Sequence, residues 1–156
     1  MAYVHPLRPH GRGYQMYRLR VRPWAVIRDI EGFIDPDTME YLTFAAWQDR
    51  TLRQVLADAR WLTVAATWLA QNSHRVWASA DLDDWGDFVE DVTYPSRSRR
   101  SPRESAAWQA VEVLHRAYAY WHWTHPDRFH CQPFPASVLE RRSWVRRVLS
   151  VMDYDL

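Results

Sequence analysis

The chain has 156 residues, 47% of them hydrophobic and 15% aromatic; its 20 basic residues are all arginine and stand against 19 acids, for a net charge of +1. That length suits one domain with a single core. The single cysteine, Cys131, excludes a disulfide framework and a Cys-x-x-Cys site, and the lack of lysine excludes a P-loop, a Schiff base and a lysine general base.

With only Gly11, Gly13, Gly32 and Gly86, no glycine-rich phosphate cradle or nucleophile elbow can be written. One cysteine favours a reducing compartment. The N-terminus lacks the apolar core of a signal peptide, and no run approaches the roughly 18 apolar residues of a membrane span. The expectation is a soluble, cytoplasmic protein.

The small net charge hides a segregation. Residues 1–28 carry six arginines and no acid, residues 29–91 carry 13 acids and four arginines, and residues 92–156 carry ten arginines and six acids. Such a pattern either steers a polyanion to the two basic segments or lets the segments neutralise one another in the fold. Arginine presents a planar fork of donors that matches phosphate and stacks on rings.

In chain order, residues 1–15, with Pro6, Pro9, Gly11 and Gly13, read as an arm without regular structure. Tyr17, Leu19 and Val21 then alternate with Arg18, Arg20 and Arg22, the period of a half-buried strand, and Pro23 makes it an edge or an end. No later segment reads clearly as its partner, so pairing with another chain is one way to satisfy it.

Asp35 or Asp37 caps a first helix over about 38–50, whose apolar residues include Met39, Leu42, Phe44, Ala46 and Trp47. A second helix, about 52–72, has Leu52, Val55, Leu56, Ala59, Leu62, Ala66 and Leu69 on one face and Trp61, Val64 and Trp68 nearly opposite. One core cannot bury both stripes of a surface helix, so either this helix is central or the tryptophan stripe is a protein interface.

Leu82, Trp85, Phe88, Val89 and Val92 predict a third helix over 82–93, with Asp81, Asp83 and Asp84 at its positive end. Pro95 stops it. Ser101-Pro-Arg-Glu104 reads as a capping box that starts a fourth helix near 102, carrying Trp108, Val111, Leu114, Tyr118 and Trp121 to about 124. Arg97, Arg99 and Arg100 then occupy a short exposed connection ending at a helix N-terminus, with Arg103 in the first turn, where backbone N–H groups already favour anions; the alternative is a solvated loop pairing with the acidic helix. Ser137-x-x-Glu140 opens a fifth helix to about 152, with Val138, Val145, Val148, Leu149 and Met152 inward and Arg142 and Arg146 aligned outward.

The fold class is therefore mainly α: a bundle of about five helices over 38–152, preceded by a basic arm and one strand over 1–28, in one domain. His115, His122 and His125, with His130, Cys131 and Glu112 near in sequence, are the one cluster with metal-ligating chemistry, but their spacing matches no zinc signature. Packed histidines hydrogen-bonded to neighbours are the ordinary reading.

For polyanion binding, alternate strand residues lie about 7 Å apart, so Arg18, Arg20 and Arg22 match successive phosphates of an extended strand. Arg97, Arg99, Arg100, Arg103, Arg142 and Arg146 extend the track if the fold brings them together, and Tyr14, Tyr17 and Trp24 are placed to stack on bases. With no RNA-recognition, KH, zinc-finger or recognition-helix motif, such binding is to the backbone, of RNA or single-stranded DNA, and indifferent to sequence.

Five helices near 38–50, 52–72, 82–93, 102–124 and 138–152, with arginines at 97–103 and 142–146, resemble the small helical subunits of CRISPR RNA-guided effector complexes. The resemblance implies a non-catalytic subunit that packs along a backbone filament, touches its own copies and holds guide RNA or target strand by phosphate contacts. The basic arm and strand depart from that all-helical pattern. A protein-only adaptor or structural component of a phage or secretion assembly, anchored by Trp61 and Trp68, is the second reading, and a histidine-based metalloenzyme the third. No cofactor is expected.

Overall fold

The structure, a computed structural model, describes residues 3–6, 13–48, 50–93 and 100–154 and is mainly helical. Its contacts divide the chain into two units, Met1–Trp77 and Ala78–Leu156. In the first unit the second and third strands pack on the first two helices. Among the described residues no helix is long and apolar enough to cross a membrane.

The first unit opens with three antiparallel strands, β1 (Tyr3–Pro6), β2 (Gln15–Arg18) and β3 (Ala25–Arg28), in sequence order across the sheet. This corrects the lone strand expected over 17–22 and the irregular arm before it: β2 finds both neighbours in its own chain, with Val4 opposite Tyr17 and Met16 opposite Ile27. The alternation is also out of phase. Met16, at 1% exposure, is the core residue of β2, whereas Tyr17 is half-buried. The strand ends at Arg18, and residues 19–24 form the turn into β3, whose Ala25, Val26 and Ile27 are all buried.

Helix α1 (Pro36–Ala46) starts where Asp35 accepts from the Thr38 N–H at 3.0 Å, with Pro36 in the first turn, where its missing N–H has no partner to lose. Helix α2 (Leu52–Trp68) starts at a reciprocal cap: Thr51 Oγ1 accepts from Gln54 N at 3.2 Å and Gln54 Oε1 accepts from Thr51 N at 2.9 Å.

Leu62, Thr63, Ala65, Ala66 and Trp68 of α2 are all buried, so of the two alternatives for its double stripe the central helix holds. Trp68 is thereby withdrawn from any interface, and Trp61 and Val64 are half-buried. A π-helical turn, Leu69–Ser73, ends α2, with Asn72 Nδ2 and Ser73 Oγ donating back to the carbonyls of Trp68 and Leu69. Trp77 Nε1 reaches Asp35 Oδ2 at 3.2 Å and ties the last residue of the unit to the α1 cap.

The second unit holds α3 (Leu82–Thr93), α4 (Arg100–Thr124) and α5 (Val138–Tyr154), each packed on the other two. Asp81 and Asp84 cap α3 reciprocally, each backbone N–H donating to the other's carboxylate at 2.9–3.0 Å, which accounts for part of the acidic run. Helix α4 already includes Arg100 and Ser101, so Ser101 lies inside the helix and is not its cap. Val138, expected inward, is 48% exposed.

Much of the aromatic content is spent on this core. Trp85, Phe88, Tyr118, Trp121, Phe129 and Phe134 are all buried, with Tyr118 edge-on to Trp121 at 5.2 Å and Trp121 stacked on Phe129 at 5.1 Å. Such pairs add about 0.5–1.5 kcal/mol each beyond burial.

Candidate nucleic-acid interface

The turn between β2 and β3 is closed by Leu19 N donating to Trp24 O at 2.8 Å and Trp24 N donating to Val21 O at 2.7 Å. Trp24 sits in it at φ +67°, a left-handed conformation that costs a residue with a Cβ about 1–2 kcal/mol. Arg22 occupies the same turn with its guanidinium carbon 5.0 Å from the Trp24 ring centre and 4.8 Å from that of Trp47, the residue capping the C-terminus of α1. Cation–π contact engages the faces of a guanidinium and leaves its in-plane N–H groups to donate elsewhere.

Arg18, Arg20 and Arg22 are all exposed, and none pairs with a carboxylate among the described residues. They do not form the expected straight row at strand spacing: Arg18 ends β2, while Arg20 and Arg22 ride the turn. The result is a basic hairpin tip, with Val21 70% exposed among them.

Other arginines are committed within the fold. Arg50 Nη2 meets the buried Asp58 at 2.7 Å, and Arg141, 4% exposed, grips Glu112 through Nε at 2.6 Å and Nη2 at 3.2 Å. Arg142 lies over Trp108 at 4.4 Å, and Arg146 faces Glu104 at 3.2 Å with both side chains at least half exposed. In solvent such an exposed pair is weak and opens readily. Arg97 and Arg99 lie outside the described residues; Arg100 and Arg103 fall in the first turn of α4, with side chains also outside them. The hairpin arginines Arg18, Arg20 and Arg22 belong to the first unit, and Arg142 and Arg146 to the second.

Of the rings proposed to stack on bases, Tyr17 is taken by Arg28 at 4.9 Å, and Tyr14 is half-buried, its hydroxyl pKa raised first by burial and then by Asp35 and Asp29. Trp24 flanks Arg22. Trp47, counted among the apolar residues of a first helix expected to run to about 50, is 66% exposed. It lies one residue past the helix end, and the Thr51 cap that begins the next helix is the sequence signal that 47–51 is a connector.

The histidines do not converge. His115 Nε2 is 3.2 Å from Arg141 Nη1, and His122 Nδ1 donates to the Phe129 carbonyl at 2.7 Å. Burial, then Arg141, lowers the His115 pKa. Among the described residues no three histidine, cysteine, aspartate or glutamate side chains gather where a metal ion would sit. Searches against family models, curated proteins and solved structures find no match to this chain.

Proposed function

We propose that the protein is a non-catalytic, nucleic-acid-binding structural subunit of a ribonucleoprotein complex, and that the β2–β3 hairpin holds the phosphate backbone of a single strand. The observation that carries this reading is that Arg18, Arg20 and Arg22 are exposed and without carboxylate partners among the described residues, with Arg22 against the indoles of Trp24 and Trp47. Guanidinium edges take phosphate oxygens and rings take bases, which together make a sequence-tolerant single-strand site.

The architectural resemblance to small subunits of CRISPR effector complexes supplies the assembly in this proposal: several copies in contact, with Arg97, Arg99, Arg100, Arg103, Arg142 and Arg146 as phosphate contacts of their own. Binding of a labelled single strand as a function of salt tests the reading, since neutralised phosphates release counterions.

A protein-only adaptor is favoured by a different feature. Asp29 Oδ1 accepts from the N–H groups of Glu31 and Phe33, fixing a turn that displays Ile30 and Phe33 at 63% and 66% exposure. Such a rigid apolar turn suits a protein partner.

A further inference from the structure

The indole of Trp47 is held more firmly than an exposed ring at a helix end needs to be. Its backbone N–H donates to the carbonyls of Thr43 and Phe44 at 3.3 and 3.2 Å, so its root is fixed to the last turn of α1. The Arg22 guanidinium, carried by a separate element, lies against the ring at 4.8 Å. Yet two-thirds of the residue, 66%, faces solvent. A large apolar ring fixed at its root, with a cation against it and two-thirds of its residue exposed, is a platform for another flat group. The cation beside it restricts that group to one attached to an anion.

An unpaired nucleobase on a phosphodiester backbone has both properties. We infer that Trp47 stacks an unpaired nucleobase while Arg22 donates from its N–H edges to the adjoining phosphate, so that the site selects single strands over duplexes. This inference rests on the nucleic-acid reading above and deepens it. In a duplex the base faces are covered by neighbouring pairs, and Trp47 gains nothing unless a base is extruded. The arginines, by contrast, meet phosphates in either form.

The two contributions separate by experiment. Wild type, Trp47→Ala and Trp47→Phe are titrated, over a range of salt, with a labelled 12-nucleotide DNA strand, its duplex, and an abasic strand of equal length and charge. Loss of one base stack is expected to weaken single-strand binding by about tenfold in Trp47→Ala, with Trp47→Phe restoring most of it. Duplex and abasic affinities are expected to fall much less than intact-strand affinity on Trp47→Ala, since those probes lose only the ring's hold on Arg22 and no base stack.

If Trp47→Ala binds the intact strand as wild type does, or wild type binds the abasic strand as tightly as the intact one, the stacking site is refuted while a steep salt slope keeps the backbone reading. If wild type binds none of the three at low salt, both fall. Circular dichroism and thermal melting confirm that the variants fold; an unfolded Trp47→Ala transfers the decision to the abasic comparison in wild type.

Discussion

A methyl group placed on Gly13 would lie 2.5 Å from Thr67 Cγ2, and the next backbone N–H, that of Tyr14, donates to Thr67 Oγ1 at 2.9 Å. The chain entering β2 is thus pressed directly on α2, with no room for a side chain. Gly13→Ala is expected to destabilise the protein by about 1–3 kcal/mol through overpacking, read as a lower urea midpoint. Thr67→Ser removes the crowding methyl and keeps the hydroxyl acceptor, so the double variant is expected to lose less than the two single losses combined. Strict additivity would mean that the close approach is not where the strain lies.

Asp58, 1% exposed, accepts from Tyr41 Oη at 2.9 Å and from Arg50 Nη2 at 2.7 Å, joining α1, the 47–51 connector and α2. Removing one partner of a buried pair leaves the other desolvated. Asp58→Ala and Arg50→Ala are each expected to lose about 3 kcal/mol by chemical denaturation, with Asp58→Asn losing less because its amide oxygen still accepts one hydrogen bond. An Arg50→Ala variant as stable as wild type would show that the carboxylate needs no cation.

In the second unit, His115 accepts from Arg141, whose Nη1 also donates to the carbonyls of Pro135 and Ala136 at 2.9 and 2.7 Å. Because the folded pKa of His115 is depressed below 6.5, the unfolded chain binds its proton more readily. The stability linked to this residue is therefore present above that pH and lost as pH falls. Between about pH 7.5 and about pH 5.5, wild type is expected to lose denaturation midpoint relative to His115→Gln, whose amide oxygen accepts from Arg141 and does not titrate. The Asp35 carboxyl, raised by burial, gains stability as pH falls and is common to both chains, so the difference between them isolates His115. Parallel profiles would refute the coupling.

Helices were legible where capping chemistry and apolar spacing agreed: Ser137 before α5 and the Trp85, Phe88, Val89 stripe of α3 read correctly, and of Asp35 and Asp37, left open before α1, the cap is Asp35. The sheet was not. Its strands are four residues each, too short for alternation to establish phase, and the arginines of a turn mimicked the polar side of a strand that stops at Arg18. Arg141 falls at helical spacing between Val138 and Val145 on the inward face of α5, and Arg142 on the outward one, but the sequence did not show that Glu112 of α4 receives the first and Trp108 the second. Trp47 went the same way, since exposure at a helix end depends on what the following connector leaves uncovered.

Whether the hairpin arginines hold a nucleic-acid backbone is tested most directly by single-strand affinity measured between about 50 and 200 mM salt for wild type and for the R18A/R20A/R22A variant. With three phosphates neutralised at the hairpin, log affinity for wild type is predicted to fall against log salt with a slope of about −2 or steeper, and the variant to flatten that slope by about 2. A wild-type slope near zero, or a variant that binds with the wild-type slope, would contradict it.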